Sequence, residues 1–551
     1  MKQNMHMTFQ KIKTVIEKYE RIIPLGLFIL FLAFTLPGIA WGAPSVWHPD
    51  EIVVRSIKAL HGEWKFSEIN FDYPDLPQYA MFFLGKLLLA FGKTDGGILI
   101  ASRVLSAVLA GLTIVLTYII TRRVAGSVPV AGLSGLLLIC VSEMSHNGRF
   151  AHNDTYVTFF TTLSILFLIT YYGQGKRIWL YASFMTVGMA ASSKYIGGSL
   201  VLVPLAVYLI EQKQNIKKEW FSVAETLFIG AVVTFLGFAA GTPKALFWMT
   251  YYFKRLLPTL QWQVNYGRRP DSIRGIIGQY GVLSEGLGPA LFVLFAAAFL
   301  WTCYQLIKTS GGGTWKRTEQ GGVFAILLLG ILALDLPMIF SYNYQLRYFL
   351  PLMPLLAILT AFFVADFYTH AKESGRPMLP LVVASGVVII ILFSFARIIS
   401  VTLLFLNDSR IPASQYIKTL PAGTSLEHTY YPPTLPIDHF EREHNYPVHF
   451  ILSADDPIPT NKNYRFNMAE SGLDDRMTDY LVVDNFTSDK FKDPFTCNLM
   501  QNECDFFKQL GTGGSSHYRL LTEFKYTLPP YLPQIKVLFA NPTIRIYERI
   551  P

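Results

Sequence analysis

Trp47-His48-Pro49-Asp50-Glu51 sets two adjacent carboxylates just past a long apolar run. Charge beside hydrocarbon is costly, so an acidic pair at that depth asks for a task. A carboxylate at a water-filled cleft can take a proton from a hydroxyl nucleophile. The plainer reading makes Asp50 the N-cap of the helix that follows, with Glu51 in its first turn and Pro49 marking the start. A second polar cluster argues for chemistry: Glu143, His146, Arg149, His152 and Asp154 fall in one short stretch, 143–154. Lys194 and Arg347 stand at the ends of other apolar runs. Arg and Lys beside carboxylates can neutralise a departing phosphate. Together these groups suit transfer from a lipid phosphate to a hydroxyl or amine. Singly, each has a blander role. Arg149 serves equally as a snorkelling interfacial side chain. His146 and His152 suit hydrogen-bonded loop positions better than metal ligation. Lys194 suits a helix end.

The elements that must hold these residues are membrane spans. The chain is 52% hydrophobic and only 15% charged, with mean hydropathy +0.35. That composition indicates a polytopic α-helical membrane protein. Eleven apolar stretches approach the ~20 residues that cross a bilayer: 22–42, 98–120, 128–142, 155–172, 178–193, 196–211, 221–240, 287–307, 323–340, 348–366 and 379–404. Lys2, Lys11, Lys13, Lys18 and Arg21 place the N-terminus in the cytoplasm by the positive-inside tendency. Alternate connections agree: Arg122-Arg123, Lys176-Arg177, Lys213 with Lys217-Lys218, Lys316-Arg317, and Lys372 with Arg376. The acidic clusters then share the outer face. The net charge of +9 belongs to this loop asymmetry and implies no nucleic-acid partner. No P-loop, no GxGxxG after a strand and no CxxC pair occurs, so no nucleotide cofactor is expected. Ala40-Trp41-Gly42-Ala43 imitates a signal-peptide end, but the first stretch is long enough to be a retained helix.

The expected domains are a membrane part, 1–406, with a large first outer loop, 43–97, and a soluble part, 407–551, outside the cytoplasm. Within the loop, Ile52 to Trp64 carries apolar residues at helical spacing, and Tyr79 to Phe91 is too short to span. Both read as helices in the interface. The loop 241–286 is rich in Arg, Tyr and Trp. In the soluble α/β part, Tyr480 to Asp484 and Ile544 to Tyr547 read as strands, and Ile411 to Thr419 as a short helix. His428-Thr-Tyr-Tyr431 suits sugar stacking or packing equally. Cys497 and Cys504 are spaced for a disulfide in an oxidising compartment, which the spacing leaves open. Cys140 and Cys303 fall in spans and read as packed apolar residues.

These motifs resemble the polyprenyl-phosphate-dependent glycosyltransferases of the GT-C superfamily. The resemblance covers about residues 20–400. It is strongest toward the families that hold protein mannosyltransferases and the lipid A aminoarabinose transferases. Its most specific pieces are Trp47-His48-Pro49-Asp50-Glu51 and Phe71-Asp72-Tyr73-Pro74-Asp75-Leu76-Pro77. Arg149 to Asp154, Ser193-Lys194-Tyr195 and Arg347 to Pro351 support it. The resemblance implies a GT-C fold and, residue by residue, roles. Asp50 would be the general base on the acceptor, and Glu51 would orient it or bind a cation. Asp154 would position the acceptor or Asp50. Arg149, Lys194 and Arg347 would face the donor phosphate, with His152, Tyr73 and Tyr348 lining the substrate site. Asp72-Tyr73-Pro74-Asp75 departs from the aminoarabinose-transferase pattern, in which a Glu-Lys pair precedes the prolines, so that substrate is not implied. No Trp-Trp-Asp occurs, which speaks against an oligosaccharyltransferase.

The implied activity is transfer of a sugar from an undecaprenyl- or dolichyl-phosphate donor to a lipid, glycan or protein acceptor, with inversion. The implied place is the outer side of a bacterial inner membrane, among its lipids. A divalent cation is neither required nor excluded. Asn153-Asp154-Thr155 is a glycosylation sequon inside the proposed site, which favours a cell without that modification. The rival reading is a transporter or flippase, which would use ionisable groups at mid-membrane on broken helices. Asp335-Leu336-Pro337 is the one such feature. A non-catalytic assembly or sensor protein is a third reading, and it would tolerate loss of Asp50.

Overall fold

The computed structural model describes residues 20–66, 73–215, 217–265, 275–310, 319–342, 344–436, 438–440, 442–445 and 478–551. Phe71 and Asp72 of the acidic-loop motif, Lys2, Lys11, Lys13 and Lys18, and Lys316-Arg317 lie outside the described residues. The chain divides into two compact units. One takes Met1–Ile39, Glu51–Asn265 and Ser272–Ile398; the other takes Ala40–Asp50, Tyr266–Asp271 and Ile399–Pro551. The division passes between Asp50 and Glu51.

The first unit is helical. In chain order its elements begin α1 (Ile23–Thr35), α2 (Val53–Leu60), α3 (Leu76–Ala90), α4 (Asp95–Ala125), α5 (Val128–Ile139), α6 (Ser142–Asn147), α7 (Asp154–Gln174), α8 (Arg177–Ser193), α9 (Leu202–Gln212) and α10 (Trp220–Gly241). Helices Lys244–Phe247, Met249–Asn265, Gly275–Leu287, Pro289–Ser310, Glu319–Ile339 and Met353–Glu373 follow, and Leu379–Leu406 runs across the division of the units. Among the described residues, eight helices are long and apolar enough to cross a membrane. Three expected spans form shorter helices: α1 with 13 residues, α5 with 12 and α8 with 17. The longest, α4, shows why these runs are helical. Asp95 lies in its first turn and Arg122 and Arg123 in its last, each matching the helix dipole, and Gly126 ends it at φ +61°.

Two interruptions place cations. Lys194 leaves α8 in extended geometry (φ −155°, ψ 133°), and a 3-10 turn, Tyr195–Val201, leads into α9. Gln345 is extended likewise before the 3-10 turn Leu346–Leu352, which carries Arg347 and leads into Met353–Glu373. Helices α8 and α10 meet backbone to backbone. A Cβ on Gly188 would lie 2.0 Å from the Thr234 carbonyl oxygen, and one on Gly237 would lie 2.2 Å from that of Met185. Small residues permit this approach where lipid supplies no hydrophobic drive between helices. The outer loop forms the two expected helices as α2 and α3. Asp50 is not the N-cap of α2: Ile52 holds that position and no side chain caps it. Asp50 instead donates its backbone N–H to His48 Nδ1 at 3.1 Å. Pro337 does not break its span either, which continues to Ile339.

The second unit carries a five-stranded mixed sheet. Its strands are β1 (Ser425–His428), β2 (Arg442–Asn445), β3 (Tyr480–Asp484), β4 (Tyr518–Phe524) and β5 (Ile544–Arg549), in the order β2-β1-β3-β5-β4. β1 runs parallel to β2 and β3, and β5 antiparallel to β3 and β4. Strand β3 explains the burial of both faces. Leu481 and Val483 join a core with Phe506 and Phe507, whereas Tyr480 and Val482 join one with Ile417 of helix Arg410–Ile417. Cys497 and Cys504 form a disulfide. Tyr431 packs inside, its ring 5.7 Å from that of Phe486 and 5.5 Å from that of Phe539.

Candidate active site

Glu51 begins the second segment of the first unit and is fully engaged there. Arg103 of α4 donates through Nε and Nη2 to the two carboxylate oxygens, each at 2.7 Å, and both side chains are 0% exposed. Ala151 donates its N–H to Glu51 Oε1 at 2.9 Å, and Ile52 donates to the Ala151 carbonyl at 3.1 Å. A third guanidinium bond reaches the Ile39 carbonyl. Glu51 therefore staples the start of the outer loop to α4 and to the stretch before α7. Both of its oxygens face an arginine, a partner set unlike that of a metal ligand.

Around Asp154 the expected residues converge. Asp154 is 1% exposed at the start of α7. Lys194 Nζ lies 2.5 Å from Oδ1, and His152 Nδ1 lies 2.7 Å from Oδ2. The Lys194 ammonium also stands 4.3 Å over the Tyr348 ring, and the Arg347 guanidinium stands 5.4 Å over the same ring. Tyr73 meets the His152 ring edge-on at 5.6 Å and receives Arg55 at 5.6 Å on its own face. Asp154, His152, Lys194, Arg347, Tyr348 and Tyr73 thus form one cluster. Lys194 keeps 17% of its side chain exposed against 1% for Asp154, so the cation is the accessible member of that pair.

Glu143 flanks this cluster. It accepts from Asn147 Nδ2 at 2.8 Å and lies 3.0 Å from His146 Nδ1. Burial alone would raise its carboxyl, but His146, Asn147 and Arg347 outweigh that and hold it below the usual range. Arg149 goes another way. It donates to the carbonyls of Phe34, Pro37 and Ser145 and to the Ser145 hydroxyl, bracing the end of α1 against α6.

A second carboxylate–lysine pair lies beside the cluster. Asp75, two residues past Tyr73 and 2% exposed, receives Lys244 Nζ at 3.0 Å on Oδ1. Its N–H donates to Thr242 Oγ1, which in turn shares a hydrogen bond with Ser192 Oγ at 2.7 Å. Asp75 Oδ2 is buried without a partner. Burial pushes this carboxyl up to about 6 against the pull of Lys244.

Among the described residues, no group of three His, Cys, Asp or Glu side chains is placed to hold a metal ion. The carboxylates here are balanced by ammonium and guanidinium groups.

A family profile, that of dolichyl-phosphate-mannose-protein mannosyltransferases, matches residues 64–256, which include Tyr73, Arg103, Asp154, Lys194 and Lys244. YkcB of Bacillus subtilis is 24% identical over 229 residues, covering 40% of this chain and 31% of that protein. The undecaprenyl phosphate-alpha-4-amino-4-deoxy-L-arabinose arabinosyl transferase 2 of Pseudomonas fluorescens is 26% identical over 233 residues, covering 41% of this chain and 40% of that one. The matches thus span less than half the length of these curated relatives. In structure, the archaeal oligosaccharyltransferase AglB of Archaeoglobus fulgidus superimposes with a TM-score of 0.52 and 12% identity, covering 96% of this chain and 89% of that chain. The chain carries the GT-C fold.

Asp75 and the two cations paired with Glu51 and Asp75 went unread in the sequence. Arg103 is a lone cation deep in an apolar helix, which is itself a signal of a paired role. Lys244 follows the end of α10 with only Thr242 and Pro243 between, and nothing local names Asp75 as its partner. Asp335, on which a transporter reading would rest, lies beside Gln279 in the helical unit.

Proposed function

We propose that this chain is an integral-membrane glycosyltransferase. It moves a sugar from an undecaprenyl- or dolichyl-phosphate donor to a hydroxyl or amine of a lipid, glycan or protein acceptor. The observation that carries the reading is the cluster of Asp154, His152, Lys194, Arg347 and Tyr348. It offers two cations and a ring to a phosphate and sugar, at the starts of apolar helices where a lipid headgroup would rest. The family profile and the arabinosyl transferase relative, named for an undecaprenyl-phosphate sugar, support the donor class. The oligosaccharyltransferase neighbour was solved with a dolichol-phosphate.

In the proposed reaction Asp50 takes the proton of the acceptor hydroxyl. The oxygen attacks the anomeric carbon from the face opposite the phosphate, so the centre inverts. The bond from that carbon to the phosphate oxygen breaks, and the phosphate leaves with the electron pair. Lys194 and Arg347 stabilise its charge. Asp154 and His152 hold Lys194, and Glu51, clamped by Arg103, fixes the chain one peptide bond after Asp50. The site faces outward from a bacterial inner membrane, with the N-terminus cytoplasmic and the sheet unit outside.

The test uses purified protein in detergent with a panel of polyprenyl-phosphate sugars. It follows release of polyprenyl phosphate by wild type, Asp50→Asn and Asp154→Asn, with melting curves in parallel. Release by wild type and not by folded variants supports the assignment. Equal release by all three removes Asp50 and Asp154 from the chemistry.

A further inference from the structure

The segment that carries Asp50 belongs to the second unit, and its seat there is elaborate. Gly42 holds φ +73°, and a Cβ on it would come within 2.6 Å of the Trp47 ring, so this turn admits glycine alone. Trp41 and Trp47 meet edge to face at 5.5 Å. The Arg410 guanidinium lies over both rings, 4.9 Å from the first and 4.5 Å from the second. Asp408 takes that guanidinium with both oxygens, at 3.0 and 2.8 Å, and accepts Trp41 Nε1 at 2.8 Å. Asp408 and Arg410 are both 0% exposed.

From this hub two lines run to Asp50. Arg410 Nη1 donates to the Trp47 carbonyl at 3.4 Å, three residues before Asp50. Arg410 Nη2 donates to the Phe539 carbonyl at 2.7 Å, and the Asn541 N–H donates to Asp408 Oδ2 at 2.6 Å. Those bonds hold Phe539 and Asn541 at φ +64° and +55°, a region an aromatic residue enters only when its surroundings force it. So held, the Phe539 ring meets the His48 ring edge to face at 4.8 Å. His48 Nδ1 then accepts the Asp50 N–H.

We propose that Asp408, Arg410 and Phe539 are positioning residues for Asp50, so that the sheet unit seats the catalytic base. The inference rests on the role given to Asp50 above. It assigns that unit a part in turnover. The backbone strain at Phe539 has a use on this view: it aims the ring at His48 and so fixes the peptide that enters Asp50. Phe539 also packs on Tyr431, and its edge contact to His48 is the part of its surroundings that bears on Asp50.

Phe539→Gly separates the two roles. Glycine suits the left-handed backbone, and that relief offsets part of the packing lost against Tyr431, so the unit should stay folded with a modestly lower melting temperature while the ring contact to His48 is lost. In the full-length protein in detergent, kcat should fall about ten- to a hundredfold, the cost of a base displaced by an ångström or so. KM for the donor should stay within about twofold. Hydrogen exchange, read by mass spectrometry on the peptide spanning 44–52, should be faster than in wild type. The exchange at β3 should be unchanged. Arg410→Lys, which keeps the charge but not the fork, should show the same pattern more weakly. A folded Phe539→Gly with wild-type kcat overturns the inference. Asp50→Asn runs alongside: if it retains full turnover, the base assignment fails, and exchange alone then decides. Unchanged exchange at 44–52 would still refute the seating of Asp50 by Phe539.

Discussion

Breaking the Glu51–Arg103 pair should be among the costliest single changes in the helical unit. Glu51→Leu strands a guanidinium that has no exposure, and it removes the acceptor of the Ala151 N–H. Losing one partner of a buried pair costs about 3–5 kcal/mol. Three lost bonds to buried or charged donors, at about 1–3 kcal/mol each, reach that range at their lower end. That corresponds to roughly a hundred- to several-thousandfold in the unfolding equilibrium. Arg103→Met alone should cost a similar amount, because it leaves the carboxylate buried. Combining the two removes both charges and should recover most of the loss. The residue, about 1–2 kcal/mol, is the orphaned Ala151 N–H. A double-mutant cycle measured by denaturant unfolding in mixed micelles reads this as a coupling of about 4 kcal/mol or more. Where refolding fails, inactivation half-life at one temperature takes its place. Single variants within about 1 kcal/mol of wild type, or a double variant as poor as the sum, would refute the argument that this pair is a dry staple.

Other consequences can be checked in the same preparations. Lys194→Met should cut polyprenyl-phosphate release about a hundred- to a thousandfold by removing the accessible cation from the leaving phosphate, and release at the wild-type rate would exclude that role. For Asp75, the folded carboxyl titrates near 6 against an ordinary 3.8, so the fold favours its protonated form. Its stabilising contribution is complete below about pH 4 and is lost as pH rises through about 6; Asp75→Asn should erase that pH dependence, and parallel pH profiles for both proteins would contradict it. Reducing Cys497–Cys504, or replacing both by Ser, should lower the stability of the sheet unit by about 2 kcal/mol for so short a loop, seen as an earlier denaturation midpoint.

Sequence patterning discloses some of these features and conceals others for physical reasons. Isolated charges in apolar surroundings are expensive, so Asp154, Lys194 and Arg347 stand out, and the structure gathers them with His152, Tyr73 and Tyr348. Strand β3 has the residues read for it, because a short β-branched run bounded by polar residues admits little else. Pairing is another matter. Glu51 finds Arg103 across 52 positions, and Asp75 finds Lys244 across 169, and no local pattern encodes such distances. Arg149 shows a different kind of concealment. It stands in the same polar stretch as His152 and Asp154, yet it donates to the carbonyls of Phe34, Pro37 and Ser145, which have no residue-type signature, as well as to the Ser145 hydroxyl. The membership of Ala40–Asp50 in the second unit was likewise hidden, since it depends on Asp408 and Arg410 from the far end of the chain.

The glycine seam between α8 and α10 limits how this chain can diverge. Gly188 precedes Lys194 by six residues, and Gly237 precedes Lys244 by seven. With backbones in contact at the seam, neither helix can slide, and both lysines are carried at a set spacing like tines on one handle. A descendant that adopts a different cargo cannot do so by moving one ammonium group past the other. Its room for change lies in the carboxylates that answer them, Asp154 on α7 and Asp75 before α3, and in the aromatic walls around them.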